Sequence, residues 1–168
     1  MIKVGDSLPS VTLYESETFD QTTSCPSRPN KADLKELVGS KKTVIFGVPA
    51  AFTPTCSSKH VPGYLQHLDD FKALGVEQII CVSVNDAYVM FEWKKATKAE
   101  GIRFLGDGEA ELAIAAGLDT LIPGMGRRCK RFSMLVVDGK VQHLNVEPSG
   151  QFGVSSAEHL LSQVVSKH

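Results

Sequence analysis

The hydrophobic and polar positions along this chain predict strands and helices in alternation. Five segments are rich in apolar or β-branched residues and predict the strands of a sheet: 10–16, 42–48, 77–85, 102–107 and the hairpin 131–147. The second and third contain the continuous apolar runs "VIFGV" and "IICV", which are typical of strands buried on both faces. In the last segment, Asp138 and Gly139 supply a turn signal between two apolar runs.

A long helix is predicted from about Thr55 to Leu74. Its apolar residues recur at three- and four-residue steps, as expected of the buried face of a helix: Val61, Leu65, Leu68, Phe71 and Leu74. Pro62 lies within this pattern and is expected to kink the helix, because proline cannot donate a hydrogen bond to the preceding turn.

Shorter helices are predicted at four further places: 31–39, 86–101, 108–117 and 155–165. Asn30 is the expected cap of the first, and Gly39 is expected to end it. Asp86 is the expected cap of the second. Ser155 and Glu158 have capping-box spacing at the start of the last.

The predicted order of elements is β-α-β-α-β-α-β-β-α, with parallel crossovers first and an antiparallel pair last. This order indicates an α/β protein with a thioredoxin-like fold, in which a mixed sheet is covered by helices and carries an N-terminal extension. No repeat, low-complexity tract or linker interrupts the sequence. A single domain is therefore expected over residues 1–168.

Composition and charge narrow the classes of function. The 168 residues are 42% hydrophobic and 22% charged, which is ordinary for a soluble globular protein. A net charge of −1 favours neither nucleic acid nor a membrane surface as a partner. The N-terminus lacks the order of a secretory signal, so a cytoplasmic location is expected. Mitochondrial and peroxisomal locations are the alternatives, the latter because the C-terminal Ser-Lys-His resembles the peroxisomal Ser-Lys-Leu signal.

The four cysteines, Cys25, Cys56, Cys81 and Cys129, are candidate nucleophiles. No two lie closer than 25 positions, so the chain has neither a C-x-x-C dithiol nor a zinc-binding spacing. No metal or cofactor is expected on these grounds. Each cysteine is by default a small buried hydrophobic residue.

Cys56 has the sequence setting of a reactive thiolate. It follows a predicted buried strand and opens the long helix, where free backbone N–H groups and the helix dipole favour an anion. Pro49 and Pro54 stiffen the preceding loop and restrict water. The Thr53 hydroxyl can both donate and accept, which suits a sulfur and a peroxide oxygen side by side.

A lowered thiol pKa would not be enough to make such a thiolate fast. If the pKa of a cysteine falls from ~8.5 to ~6, the thiolate fraction rises roughly 13-fold while nucleophilicity falls roughly 10- to 18-fold. If a peroxide is the substrate, a cation must therefore polarise the O–O bond of that peroxide. The candidates form one basic run: Arg127, Arg128, Lys130 and Arg131. Strand alternation places Arg131 on the face opposite Phe132, although a solvated rim is the other interpretation of this run.

The segment "PAAFTPTC", from Pro49 to Cys56, matches the peroxiredoxin pattern Pro-x-x-x-Thr-x-x-Cys. With "CVSVNDAYVM", "EWKKATKAEGI" and "KRFSMLVVDGKVQHLNVEPSG", it resembles the type II (peroxiredoxin-5) subfamily over nearly the whole chain. The resemblance implies a thiol peroxidase that reduces hydrogen peroxide, alkyl hydroperoxides and peroxynitrite through a sulfenic acid at Cys56. It also implies that Thr53 bonds the peroxide and the thiolate, that Arg131 stabilises both, and that Pro49 shields the pocket.

The sulfenic acid on Cys56 then needs a second thiol. Animal members of the subfamily carry a resolving cysteine near the start of the C-terminal helix, where this chain has Ser155 or its neighbours. Plant-type members have a proposed resolver at the position of Cys81, which makes Cys81 a candidate despite its buried strand. Cys129, in an exposed-looking basic segment, and Cys25, in a Ser/Pro loop, are alternatives. The expected scheme is one-cysteine-like, with thioredoxin, or glutathione and glutaredoxin, attacking Cys56 directly.

The resemblance also implies a homodimer. An apolar rim is expected beside the site, and members of the family pair such loops across a dimer: Phe52, Leu121, Ile122 and Pro123. Trp93, the single tryptophan, is expected to pack, and the resemblance places it near the active-site surface.

Two other interpretations stay open. His60 lies one helical turn after Cys56, so the Cys–His nucleophile pair of a hydrolase is conceivable. Alternatively, the chain is a thioredoxin-fold binding or chaperone module in which Cys56 is not catalytic. Loss of peroxide consumption in Cys56→Ser separates the peroxidase from the binding module.

Overall fold

The computed structural model describes residues 1–165 and shows a mixed sheet with helices on both faces, as the sequence predicts. The C-terminal Ser-Lys-His that resembles a peroxisomal signal lies outside the described residues. No helix in the described range is long and apolar enough to cross a membrane. The expectation of one domain over residues 1–168 stays a prediction.

The described residues form eleven strands, and seven of these make up the main sheet. In chain order the strands are β1 (Thr12–Glu15), β2 (Phe19–Asp20), β3 (Cys25–Pro26), β4 (Asn30–Asp33), β5 (Thr43–Gly47), β6 (Gln78–Ser83), β7 (Arg103–Gly106), β8 (Asp119–Ile122), β9 (Gly126–Cys129), β10 (Phe132–Val137) and β11 (Lys140–Val146). The main sheet has the order β11-β10-β5-β6-β7-β1-β4. Strands β5, β6 and β7 are parallel at its centre, while β10 and β1 flank them in antiparallel pairings. The predicted strands are confirmed, including the turn at Asp138 and Gly139, where both residues have positive φ.

Helices cover both faces of this sheet. They are α1 (Leu34–Val38), α2 (Val61–Gln66), α3 (Leu68–Ala73), α4 (Ala87–Thr97), α5 (Glu111–Ala115) and α6 (Ala157–Val165), with a π-helical turn (Cys56–His60) directly before α2. Side chains alternate along β5, so Phe46 packs into one core with α2, α3, α4 and α6. Ile45 packs into the opposite core with α1 and α5. Cys56 belongs to the first of these cores.

Helical structure over the range predicted from Thr55 to Leu74 is confirmed, but it is not one helix, because it starts with a π-helical turn and a break at His67 divides it into α2 and α3. The first turn is a π-helix in which the Val61 N–H donates to the Cys56 carbonyl, five residues back. Pro62 is the second residue after this turn, and its ring would clash with a carbonyl in a tighter turn, so the wide turn accommodates it. The break falls at His67, whose φ of −108° and ψ of 16° are not helical.

The predicted cap at Asn30 is also wrong. Asn30 opposes Glu15 in the pairing of β4 with β1, so this segment is the edge strand of the main sheet. Helix α1 starts three residues later than a cap at Asn30 implies, and Asp33 caps it by accepting from the Glu36 N–H at 3.0 Å. Gly39 ends the helix as expected.

Ser155 does not cap the last helix, contrary to the prediction. Its hydroxyl is buried and donates to Glu147 at 2.7 Å. The next residue, Ser156, is the one that accepts from the His159 N–H at the start of α6, at 3.2 Å. Glu158 contacts the His67 ring instead of closing a capping box.

The basic run lies in a hairpin that sequence patterning did not predict. Strand β8 pairs with β9, and Arg127, Arg128 and Cys129 belong to β9. Arg131 therefore lies between β9 and β10 and not at the start of a strand as predicted. This position directs the backbone from the small hairpin into the main sheet next to the loop that carries Cys56.

Candidate active site

Cys56 follows a loop fixed at the carboxyl end of the parallel strands. The Val48 N–H continues the sheet pairing by donating to the Val82 carbonyl at 3.0 Å. The Ala51 N–H donates to the Asn85 side chain at 3.0 Å, and Asn85 also accepts from the Ser83 hydroxyl. These bonds set the position at which the π-helical turn starts, and they leave the Cys56 side chain fully buried, with 0% exposed.

Asn85 was missed as a site residue by sequence reasoning. Its position in the sequence could have indicated this role. Asn85 follows β6 as the Cys56 loop follows β5, and neighbouring parallel strands end at the same edge of a sheet.

Arg131 is the cation in contact with Cys56. One arm of its guanidinium, Nη2, donates to Cys56 Sγ at 3.1 Å, and the other, Nη1, lies 3.0 Å from His60 Nδ1. The flat guanidinium thus spans a sulfur and an imidazole that lie on the same π-helical turn. In the same basic run, Arg128 donates hydrogen bonds to the Met125 and Val84 carbonyls instead.

His60 is held in one neutral tautomer. Its Nε2 lies 3.0 Å from the Ser155 carbonyl, which can only accept, so Nε2 carries the hydrogen. Nδ1 therefore accepts from Arg131. Burial and the neighbouring Arg131 charge lower the pKa of His60 to about 3. The ring has no free lone pair to serve as a base toward Cys56, which counts against the hydrolase-like pair.

Thr53 and Pro49 lie on the loop before Cys56. The Thr53 hydroxyl donates to the Ala50 carbonyl at 2.8 Å, so toward a ligand its oxygen is left as an acceptor. The Thr53 carbonyl accepts from the Ser57 N–H at 3.0 Å and so connects the loop to the π-helical turn. Pro49 lines the cavity next to the site.

A cavity of about 720 Å³ opens beside Cys56. Arg131 lines it and also bonds the buried sulfur, so this side chain connects the two. Apolar residues form much of the wall, among them Leu121, Ile122 and Pro123. Phe152 closes one side, with its ring centroid 5.2 Å from that of His60.

The other cysteines differ in burial. Cys81 is fully buried in β6, and burial raises the pKa of its thiol well above the usual value. Cys129 was expected to be exposed, which is wrong: it is 3% exposed, its thiol donates to the Val48 carbonyl, and burial raises its pKa to about 12. Cys25 is exposed on the β2–β3 hairpin. Among residues 1–165 no three His, Cys, Asp or Glu side chains are grouped to hold a metal ion.

Trp93 packs from α4 against the π-helical turn. It is fully buried, and its indole N–H donates to the Ser57 hydroxyl at 2.9 Å, one residue after Cys56. The chain's single tryptophan thus contacts the segment that carries the candidate nucleophile.

Comparisons with known proteins identify the family of this chain. The family model described as Redoxin matches residues 3–161. Peroxiredoxin-2B of Arabidopsis thaliana is 42% identical over 163 residues, which span 95% of this chain and 96% of that protein. This chain is a peroxiredoxin. It belongs to the redoxin family and, within the peroxiredoxins, to the type II group.

Solved structures lead to the same family. The reduced Prx3 of Vibrio vulnificus, determined in complex with H₂O₂, is 41% identical, with a TM-score of 0.91 over 100% of this chain and 99% of its own. Peroxiredoxin 5 of Alvinella pompejana is 29% identical, with a TM-score of 0.82 over 99% of each chain. The peroxiredoxin is accordingly a thiol peroxidase, an oxidoreductase with a thioredoxin-like fold.

Proposed function

We propose that this peroxiredoxin reduces hydrogen peroxide, alkyl hydroperoxides and peroxynitrite at Cys56. The thiolate sulfur attacks the terminal oxygen of the peroxide, an S–O bond forms and the O–O bond breaks. Sulfur is oxidised to a sulfenic acid. With a hydroperoxide the departing oxygen takes a proton and leaves as water or an alcohol, and with peroxynitrous acid it leaves as the nitrite anion. The observation that carries this proposal is the Arg131 Nη2 to Cys56 Sγ distance of 3.1 Å.

Arg131 has the main electrostatic role in this scheme. Negative charge moves from sulfur to the departing oxygen during the reaction, and a fixed guanidinium next to the sulfur stabilises it throughout. Because Cys56 is fully buried and Arg131 is partly buried, solvent weakens this interaction less than it weakens an ion pair on the surface. The neutral His60 contributes no charge of its own and accepts the second arm of the guanidinium.

Thr53 and Pro49 complete the site. The Thr53 hydroxyl donates its hydrogen to the Ala50 carbonyl. Its oxygen accepts a hydrogen bond from the O–H of the hydroperoxide and orients the hydroperoxide toward the sulfur. Pro49, in the wall of the cavity, limits the access of water to the thiolate. The apolar wall of the cavity suits the alkyl group of an organic hydroperoxide.

An external thiol recycles the sulfenic acid. That thiol attacks Cys56, water leaves and a mixed disulfide forms, and a second thiol then releases the reduced Cys56. Thioredoxin, or glutathione with glutaredoxin, is the proposed donor. Ser155 holds a buried place where animal relatives are expected to have a resolving cysteine. Cys81 stays a candidate resolver only through local opening, because its strand is fully buried.

Four single variants test the proposal: Cys25→Ser, Cys56→Ser, Cys81→Ser and Cys129→Ser. Peroxide consumption is measured with dithiothreitol, with glutathione and glutaredoxin, and with thioredoxin in turn. Cys56→Ser should abolish turnover with every donor, and dimedone should label only chains that retain Cys56. Turnover that persists in Cys56→Ser would overturn the assignment and favour the binding or chaperone module.

The proposal also covers the oligomeric state and the cellular location. A homodimer is proposed because Phe52 and Leu121 are 57% and 70% exposed although both are large and apolar. A cytoplasmic location is proposed from the sequence alone, and cell fractionation with an antibody against the intact chain tests it.

A further inference from the structure

Glu147 is a buried carboxylate that directly follows β11 and is 7% exposed. Its Oε2 accepts from the Gly153 N–H at 2.6 Å, the Ser155 N–H at 2.9 Å and the Ser155 hydroxyl at 2.7 Å. Its Oε1 accepts from the Val154 N–H at 3.3 Å. Burial alone would raise the pKa of Glu147, but these hydrogen bonds outweigh it and lower the pKa, so the group is ionised at neutral pH.

The segment that Glu147 holds leads back to Arg131. The Ser155 carbonyl accepts from His60 Nε2 and from the Tyr64 hydroxyl, each at 3.0 Å. His60 Nδ1 in turn accepts from Arg131 Nη1. At the other end, the Glu147 N–H donates to the Arg131 carbonyl at 2.9 Å. A closed circuit of hydrogen bonds thus fixes Arg131 at both its backbone and its guanidinium.

We propose that Glu147 is a positioning residue for the peroxidase reaction, which orients the Arg131 guanidinium through Ser155 and His60. An arginine side chain has many rotamers, and a guanidinium displaced by about 1 Å can cost about 100-fold in rate. The inference rests on the proposed function, because it assigns Arg131 the stabilisation of the reacting oxygens. A purely structural role for Glu147 would affect the free energy of unfolding and leave the reaction rate unchanged.

The test uses Glu147→Gln, which keeps the shape of the side chain and removes its charge. Glu158→Gln is the matched control, since Glu158 is a carboxylate on α6 that contacts His67 and no residue of the circuit. The second-order rate of Cys56 oxidation by hydrogen peroxide is followed by Trp93 fluorescence in a stopped-flow instrument. All rates are taken at a pH where alkylation of Cys56 by iodoacetamide has reached its plateau, so that the thiolate fraction does not contribute.

Glu147→Gln should lower the oxidation rate about tenfold, and Glu158→Gln should change it less than about twofold. In an Arg131→Lys background, Glu147→Gln should have no further effect, because the two changes act on the same guanidinium. An unchanged rate in Glu147→Gln, or an equal loss in both backgrounds, would overturn the inference.

Ser155→Ala is the second variant, for use where Glu147→Gln does not fold. It removes one donor to Glu147 and keeps the Ser155 carbonyl that His60 needs. A rate loss of about threefold supports the inference, and a wild-type rate in this variant overturns it. If wild-type Cys56 does not react with peroxide, the proposed function fails with this inference, whereas an active wild type with unaffected variants overturns this inference alone.

Discussion

At the scale of single residues, the site depends on one guanidinium that has two partners. A fully buried sulfur can hold a negative charge only if an opposite charge compensates the lost water, and Arg131 is in contact with it. The second partner, His60, is neutral and fixed by the Ser155 carbonyl, so it restrains the guanidinium without competing for its charge. The direction of Arg131 is therefore as important as its charge.

Arg131→Lys separates direction from charge. An ammonium keeps the positive charge but cannot bridge Cys56 and His60 as a flat fork does. The oxidation rate of Cys56 by hydrogen peroxide should fall about 100-fold, and alkylation of Cys56 by iodoacetamide should fall much less. Stopped-flow fluorescence of Trp93 and mass spectrometry of the alkylated chain measure the two rates. Equal losses in both reactions would show that Arg131 acts through the thiolate alone.

The pH dependence of His60 and His67 tests whether His60 is held in the neutral form. The pKa of His60 is about 3 in the folded state, below its ordinary 6.5, so the unfolded state binds a proton in that window that the folded state does not. His60 therefore contributes a stability loss as the pH falls from 6.5 toward 3. The hydrogen bond that the His67 ring donates to the Asp70 carboxylate, together with the one to Glu158, raises the pKa of His67. This favours the folded state below 6.5 and ceases to do so as the pH rises through the raised value.

Proton NMR of the imidazole signals between pH 5 and 8 measures both groups. The His60 signals should stay constant, and those of His67 should titrate with a midpoint above 6.5. His67→Asn identifies its own signals by their loss. A His60 signal that titrates near 6.5 would contradict the tautomer and the role assigned to the ring.

At the scale of elements, the wide turn from Cys56 to His60 is the feature that sets the site apart from a regular helix. The turn places both partners of Arg131 on one segment, and Pro62 is the second residue after it. Single-turn π-helices are frequent at functional sites, because an inserted residue changes where side chains point.

Pro62→Ala should allow this turn to tighten. Alanine restores an N–H donor and removes the ring clash, so the segment can adopt α-helical hydrogen bonds. We expect a thermal unfolding temperature equal to or above that of the wild type and a Cys56 oxidation rate lower by about tenfold. Calorimetry and stopped-flow fluorescence measure the two quantities. A more stable variant with a wild-type rate would show that Pro62 does not maintain the geometry of the site.

Sequence patterning recovered the central strands and the cap at Asp86 because both depend on local residues. The Asp86 side chain accepts from the Val89 N–H at 2.9 Å, as its sequence position predicted. Asn30 and Ser155 were misassigned because their partners, Glu15 and Glu147, belong to other elements and lie outside the one-turn window that a capping pattern covers. Likewise, the basic run alone could not select Arg131, because its contact with Cys56 depends on the pairing of β10 with β5.

At the scale of the whole molecule, the cavity opens among exposed apolar side chains. Leu121 on β8 and Phe52 on the Cys56 loop are both largely exposed, and Phe52 is held at a φ of 62°, which is uncommon outside glycine. Exposed aromatic and aliphatic side chains in a rigid backbone are typical of a surface that another protein covers.

Leu121→Glu tests this surface. A charge placed in this apolar surface should convert the proposed homodimer to a monomer at micromolar concentration. Ile114→Glu is the matched control, since Ile114 is 53% exposed but lies on α5, away from the cavity. Sedimentation velocity measures the oligomeric state of each variant. A wild type that sediments as a monomer, or a Leu121→Glu variant that sediments as the wild type does, would contradict the dimer.

The complete burial of Cys56 makes the two halves of the catalytic cycle physically unequal. A sulfur without accessible surface must be uncovered before any reagent reaches it: a small shift of the surrounding side chains admits a hydroperoxide, whereas a protein thiol needs a much larger opening. We therefore expect the proposed regeneration by a protein thiol to require local unfolding of the turn that carries Cys56, and such an opening has a large activation enthalpy. Warming should accelerate regeneration more steeply than oxidation, so in the cold the protein accumulates in its oxidised form.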